Sequence, residues 1–338
     1  MPTEEDIRCA PPGAASVTSM DGVTVGVFGT DQSVKAAFES SVAKKSEAEG
    51  VAVHSRTESG RRYSFLDTSD YPDRVQGYAR IASLVDHALY FFPKTGKLTA
   101  PDGELAILLG ALGVPGTLEL VDGSSAPQPA AAALKGTAAA GFRVEERQSA
   151  SSAIDLSYVQ PRQDFPKDRT LVYVDRAFTV KGVGTVALGF VLSGTVSIHD
   201  QLRPVPGPDG LRADVKGIQV NDIDFDSAGR GIRVGLSLRG VEPKDLERSH
   251  WLDDGSLPLA DTLSLDYSQS PFYRQDVASR DLHVQLPGEM APARIEKSAG
   301  GLTARLPWQA PVWEGMKGAV VDLNGGPLRI AGGFTTKL

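Results

Sequence analysis

Cysteine is nearly absent from this chain: 338 residues hold one, Cys9. A single thiol excludes an intramolecular disulfide framework and any cysteine-rich zinc site. Long hydrophobic runs are missing as well. No apolar stretch approaches the ~18 residues of a membrane-spanning helix, so no membrane partner is expected. Positive charge is in deficit, since 35 Lys+Arg against 42 Asp+Glu leave a formal net charge of −7. Broad, sequence-indifferent coating of DNA needs the opposite balance, because phosphates are neutralised by surplus Lys and Arg. A local basic pocket is still compatible with that total. The opening segment, MPTEEDIRCAPPGAAS, places Glu4, Glu5 and Asp6 where a signal peptide needs positive charge and then an apolar core. A cytoplasmic protein is therefore expected. The five histidines, His54, His87, His199, His250 and His283, show no metal-ligand spacing, and no G-x-S-x-G motif is present. The string Gly26-Val27-Phe28-Gly29 lacks the third glycine of a dinucleotide fingerprint and the acidic residue that closes it.

What is there describes an ordinary globular protein, with 41% hydrophobic and 23% charged residues. The length suits two domains of about 150 residues, or three smaller ones. Gly 36 and Pro 22 imply many turns and favour strands over a helical bundle. Residues 1–16 read as a flexible tail broken by Pro11-Pro12-Gly13. From residue 17 to 162, strand and helix patterns alternate. GVTVGVFG (Gly22–Gly29), RYSFL (Arg62–Leu66), HALYFF (His87–Phe92) and GTLELV (Gly116–Val121) have strand character. Ser33–Ala48, Asp73–Asp86 and Gly103–Leu112 have helical spacing, the second with Val75, Tyr78, Ile81, Ala82 and Val85 on one face. Alanine-rich Ala130–Ala140 suits a helix or a linker. Strand followed by helix, repeated, predicts a parallel sheet covered by helices.

The pattern breaks at Pro161–Thr170, a polar stretch with two prolines that reads as a linker over 163–170. Beyond it helices nearly vanish. LVYVDRAFTV, VGTVALGFVLSGTVSIHDQLRPV, LRADVKGIQV and IRVGLSLRG are strands separated by Ser-Gly and Pro-Asp-Gly turns, and they suit a small barrel over 171–255. A second set, TLSLDY, DLHVQL, ARIEK, LTARLPW, AVVDL and LRIAGG, follows Asp253-Asp254-Gly255 and suits another barrel over 256–338.

One α/β domain followed by two β modules is the order of elongation factor Tu and its relatives. VDRAFTVKGVGTVALGFVLSGTVSIHDQLRPV (Val174–Val205) resembles the start of the second domain of SelB, the selenocysteine-specific factor of that family. The matching positions are Asp175, Arg176, Phe178, Val180, Lys181, Gly182, Gly184, Thr185, Val186, Ser193, Gly194, Asp200 and Leu202. VGLSLRGVEPKDLERSHWL (Val234–Leu252) is similar to a later segment of that domain, with Ser249 where the family has glycine. YVQPRQD (Tyr158–Asp164) resembles the family's junction between first and second domains, so the likeness covers about 90 residues. Independently of it, Gly182 and Gly184 flank a strand start that calls for a bulge or positive φ, and Thr185–Val191 suits a barrel wall. The resemblance implies a P-loop-NTPase-like first domain, then two small barrels like the second and third domains of elongation factor Tu.

In this family the first domain is a GTPase, and its chemistry depends on a phosphate loop, a D-x-x-G, the histidine that follows it and an N-K-x-D. Gly29-Thr30-Asp31-Gln32-Ser33-Val34-Lys35-Ala36 stands where the G-x-x-x-x-G-K-[ST] loop belongs. It keeps the first glycine and the lysine, but Val34 replaces the second glycine, and Ala36 has no hydroxyl to hold Mg²⁺. Asp67-Thr68-Ser69-Asp70-Tyr71 stands for D-x-x-G-H: Asp67 is kept, Asp70 replaces glycine, and Tyr71 replaces histidine. After Gly113-Val114-Pro115, Asp122-Gly123-Ser124-Ser125 stands for N-K-x-D and supplies neither the lysine nor the aspartate that reads guanine. The resemblance therefore implies a degenerate GTPase domain whose only nucleotide-binding remnants are Gly29, Lys35 and Asp67. No cofactor is expected, and GTP is the one whose remnants are in place.

In the same relatives the second domain holds the aminoacyl end of tRNA and the third grips its T arm. The resemblance makes Asp175 and Arg176, with Lys181 and Arg233 nearby, the candidate aminoacyl or RNA pocket. The bland alternative pairs Asp175 and Arg176 with strand neighbours at the barrel surface. The chain stops at Leu338 near the close of the third domain, so a complete selenocysteine factor is not expected. The expected function is a non-hydrolysing, translation-associated protein that contacts tRNA, the ribosome or translation-related proteins. Two other readings stay open: a divergent NTPase with altered metal and base recognition, and a protein-interaction scaffold.

Overall fold

The computed structural model describes residues 20–42, 45–48, 50–121, 124, 126–299 and 301–338. The expected tail, Cys9, and Asp122, Gly123 and Ser125 lie outside the described residues.

Seven consecutive buried residues make β1 (Gly22–Phe28) a central strand. Asp31 caps α1 (Gln32–Glu39), accepting from the backbone of Ser33 and Val34. The helix stops well short of the expected Ala48. The hydroxyls of Ser40 and Ser41 turn back onto the carbonyls of Ala37 and Phe38, at 2.9 and 2.6 Å. That local bonding competes with helix continuation. The chain then runs through β2 (Lys45–Ala48), β3 (Val51–Glu58) and β4 (Arg61–Thr68). After them come α2 (Gln76–Leu84), the fully buried β5 (His87–Phe91) and α3 (Ala100–Ala111). Asp102 caps α3 by accepting from the Thr99 N–H at 2.8 Å. β6 (Gly116–Val121), α4 (Pro127–Ala133) and β7 (Arg143–Arg147) complete this part. The sheet order is β2-β3-β4-β1-β5-β6-β7, with β1, β5, β6 and β7 parallel. β7 lies beyond the strand expected to be last. Val23, Val25, Val34, Phe38, Phe65, Leu89 and Phe91 belong to one core cluster of this domain.

The middle barrel is built from β8 (Leu171–Val180), β9 (Gly184–Ser193), β10 (Thr195–Ser197), β11 (Gln201–Val205) and β12 (Ala213–Val220). It continues with β13 (Ile223–Phe225), β14 (Ser227–Gly229), β15 (Arg233–Arg239), the short α5 (Pro243–Leu246) and β16 (Trp251–Asp253). Its order is β11-β16-β8-β9-β15-β12-β13, and a pairing of β11 with β12 closes it. Gly182 and Gly184 turn the chain from β8 into β9 at φ +83° and +103°, a region that side chains rarely adopt. The last six strands are β17 (Leu259–Gln269), β18 (Arg280–Gln285), β19 (Met290–Ser298), β20 (Gly301–Pro311), β21 (Lys317–Val321) and β22 (Ile330–Lys337). They close as β17-β20-β19-β18-β21-β22. An α/β domain followed by two small barrels is thus the architecture.

By packing, the chain forms two compact units. Among the described residues, one takes in Phe165–Pro258, Glu58–Arg62 and residues 20–22; the other takes in those of Val23–Thr57, Tyr63–Asp164 and Leu259–Leu338. The α/β sheet and the last barrel therefore belong to one unit. Inside it, the Ser83 hydroxyl accepts from Gly288 N and Gln285 Nε2 at 2.9 and 3.2 Å. Trp313 Nε1 donates to the Asp164 carbonyl at 2.7 Å. The chain is anchored just before the expected linker: Arg162 N donates to Asp86 Oδ1 at 2.9 Å, and its guanidinium reaches the Leu112 carbonyl at 3.0 Å. No helix among the described residues is long and apolar enough to cross a membrane.

Candidate functional site

β1 ends at Phe28, and Gly29 turns out of the sheet at φ +148°, where an added Cβ would lie 3.0 Å from the Phe91 carbonyl oxygen. The following residues lead into α1, as they would in a phosphate-binding loop. There the backbone N–H groups at the helix start would cradle an anion. Here the chain supplies its own: Asp31 Oδ1 accepts from Ser33 N, Val34 N and Ser33 Oγ at 3.1, 3.2 and 2.6 Å. Partial burial would raise this carboxyl, but the bonds from Ser33, Val34 and the Lys94 backbone hold it below the usual aspartate range.

Lys35 is 1% exposed and turns inward. Its Nζ donates to both Asp67 carboxylate oxygens at 2.9 and 3.1 Å, to the Thr68 carbonyl at 3.1 Å and to Tyr78 Oη at 2.7 Å. An ammonium has three protons to give, and three acceptor groups take them. Tyr78 Oη lies 2.9 Å from Asp67 Oδ1 and 3.3 Å from the Gly29 carbonyl. Its ring stacks on Phe28 with centroids 5.0 Å apart. Burial pushes the Asp67 carboxyl up, against the pull of the Lys35 ammonium. Gly29, Lys35 and Asp67 are thus brought together, with the lysine committed to protein acceptors. Val34 is buried in the core with Phe38, and Ala36 is exposed.

Tyr71, in the place of the D-x-x-G-H histidine, is buried, with its hydroxyl 2.6 Å from the Pro101 carbonyl and 3.0 Å from Glu104 Oε2. Burial and the Glu104 carboxylate push the phenol well above its usual range. Asp70 is exposed. Of the N-K-x-D counterpart only Ser124 is described, and it is buried. No group of three or more His, Cys, Asp or Glu able to hold a metal ion is found among the described residues.

In the middle barrel, a register shift in the β8–β9 pairing between Val174 and Arg176 leaves Asp175 out of step with the ladder. Its buried carboxylate faces the Arg233 guanidinium on β15, with Nε and Nη2 at 3.1 and 3.2 Å. Arg233 also lies over the Phe190 ring, 5.9 Å from its centroid. Arg176 and Lys181 are exposed. The candidate pocket thus divides: Asp175 and Arg233 form a buried pair, and Arg176 and Lys181 offer charge to solvent.

No protein-family model matches the chain. It is 30% identical over 262 residues to an uncharacterized protein of Methanocaldococcus jannaschii, covering 76% of this chain and 80% of that one. It is 33% identical over 132 residues to the selenocysteine-specific elongation factor of the same organism. That match spans 37% of this chain and 28% of the factor. The crystal structure of translation elongation factor SelB from Methanococcus maripaludis, in complex with the GTP analogue GppNHp, aligns with a TM-score of 0.77. The alignment covers 95% of this chain and 80% of that one at 17% identity. The chain belongs to the SelB-like elongation factor family.

Sequence reasoning about this SelB-like chain missed two residues at the loop. Tyr78 was legible only as one apolar position on a helix face, and nothing in its spacing announces a hydroxyl aimed at Lys35. Asp31 carried a signal that could have been read, an aspartate immediately before a helical pattern.

Proposed function

We propose that this chain is a translation-associated SelB-like protein that contacts RNA, tRNA or the ribosome, through its barrels and does not hydrolyse GTP. The observation that carries the reading is the Lys35 ammonium, taken up by Asp67, the Thr68 carbonyl and Tyr78. A phosphate entering the loop would have to displace a carboxylate from a buried lysine and the Asp31 carboxylate from the helix start. The sequence agrees: Ala36 offers no Mg²⁺ ligand, and Tyr71 replaces the histidine that positions water in the family. With a net charge of −7, RNA contact must come from local positive charge. Arg176 and Lys181 are the exposed basic residues at the pocket that the resemblance points to.

Fluorescence anisotropy with labelled tRNA tests this. An Arg176→Ala/Lys181→Ala variant is expected to bind about tenfold more weakly and to lower the slope of log affinity against log salt by about 2. Its unfolding free energy should stay within about 0.5 kcal/mol of the parent. Binding of equal strength and salt slope in parent and variant would favour a scaffold that holds protein partners.

A further inference from the structure

A continuous network, buried at Glu104, Tyr71, Tyr78 and Lys35 and half-buried at Arg329, links the phosphate-loop counterpart to the last barrel. Arg329, beside β22, gives its guanidinium to both oxygens of Glu104 on α3, with Nε at 3.1 Å and Nη2 at 2.6 Å, and its backbone N–H adds a bond of 2.7 Å. Its other contacts are the carbonyls of Pro72 and Asp73, at 3.0 and 3.2 Å. Glu104 is 1% exposed, so this carboxylate depends on its partners. Tyr71 joins it at 3.0 Å and lies under the Arg329 guanidinium, 5.7 Å from ring centroid to Cζ. The Tyr71 ring meets the Tyr78 ring edge-on at 5.3 Å, and Tyr78 Oη accepts from Lys35. All these groups lie within one compact unit.

We propose that Arg329 is the far end of a latch that keeps Lys35 shut away. Arg329 fixes Glu104 and the turn at residues 71–73, the fixed turn holds the Tyr71 ring against Tyr78, and Tyr78 holds the lysine. Releasing Arg329 loosens the turn and lets Tyr78 move, so the inward Lys35 gains access to solvent. The latch is a coupling between two ends of this network, and it gives the last barrel control over the loop. It rests on the buried Lys35 that supports the proposed function, but not on whether the chain binds RNA or nucleotide.

Competitive acetylation of the intact protein by N-hydroxysuccinimidyl acetate, read by peptide mass spectrometry, tests it, with exposed Lys94 and Lys97 as internal references. Lys35 is expected to react at least a hundredfold more slowly than the references in the parent. Arg329→Met should speed Lys35 at least tenfold with the references unchanged. Tyr71→Phe, which removes one hydroxyl and keeps the ring, should speed it by a smaller factor and covers the case in which Arg329→Met fails to fold. Unchanged Lys35 reactivity in the folded variants would overturn the latch and leave the proposed function standing. Rapid Lys35 labelling in the parent would instead remove the observation on which that function rests.

Discussion

Replacing Lys35 by methionine is expected to lower the unfolding free energy of the chain by about 3–5 kcal/mol, the usual cost of removing one partner from a buried ion pair. The substitution leaves the Asp67 carboxylate, already pushed up by burial, without its cation, and takes one partner from the Tyr78 hydroxyl. A Lys35→Met/Asp67→Leu double variant should recover most of that loss. Replacing both members of a buried pair by apolar groups of similar volume is often neutral. Urea denaturation followed by circular dichroism measures all three differences. A lysine that faced an open phosphate loop would behave oppositely: its loss would leave stability unchanged or raise it. An unchanged midpoint in the single variant would therefore contradict the inward geometry.

The second large effect concerns the middle barrel. Arg233→Ala should cost about 3 kcal/mol, because it takes a doubly bonded cation from the Asp175 carboxylate at the register shift in β8, where the residue is 5% exposed. Arg233→Lys should recover part of this, since a lysine keeps the charge but cannot supply two parallel N–H bonds. Arg176→Ala and Lys181→Ala, both at exposed positions, should stay within about 0.5 kcal/mol of the parent. Trp251, buried in this barrel, gives a local fluorescence signal once Trp308 and Trp313 are changed to phenylalanine. Equal losses at Arg176 and Arg233 would show that the pair is not what holds this corner.

Much of the fold was legible because its signals are local. Buried runs such as GVTVGVF and HALYF are parallel strands in the structure, and the Val174–Val205 segment carries enough spaced glycines, charges and β-branched residues to identify a barrel. The errors have local physical causes too. Residues 45–48 carry helix-forming side chains, yet the Ser40 and Ser41 hydroxyls end α1 before them. β7 is an edge strand of sequence RVEER with almost no apolar signal, and Arg147 is held there by an ion pair to the buried Glu119. The candidate site was legible as residues but not as geometry. Gly29, Lys35 and Asp67 could be named from motif positions, whereas the direction of the lysine depends on Tyr78, far along the chain and disguised as a packing residue. Asp175, Arg176, Lys181 and Arg233 share one candidate pocket in the sequence, and a register shift pairs the first with the last while Arg176 and Lys181 face solvent. The tie between Glu104 and Arg329 spans residues in different parts of the chain, and no local pattern announces it.

In the proposed function, the loop of this SelB-like chain is closed to nucleotide by its own lysine and aspartates. Isothermal titration calorimetry of the intact protein with GTP, GDP and ATP at millimolar concentration in the presence of Mg²⁺ tests it most directly. No saturable heat is expected with any of the three. Saturable binding of GTP or GDP with a Kd below about 1 mM, or about 4 kcal/mol of binding free energy, would contradict it.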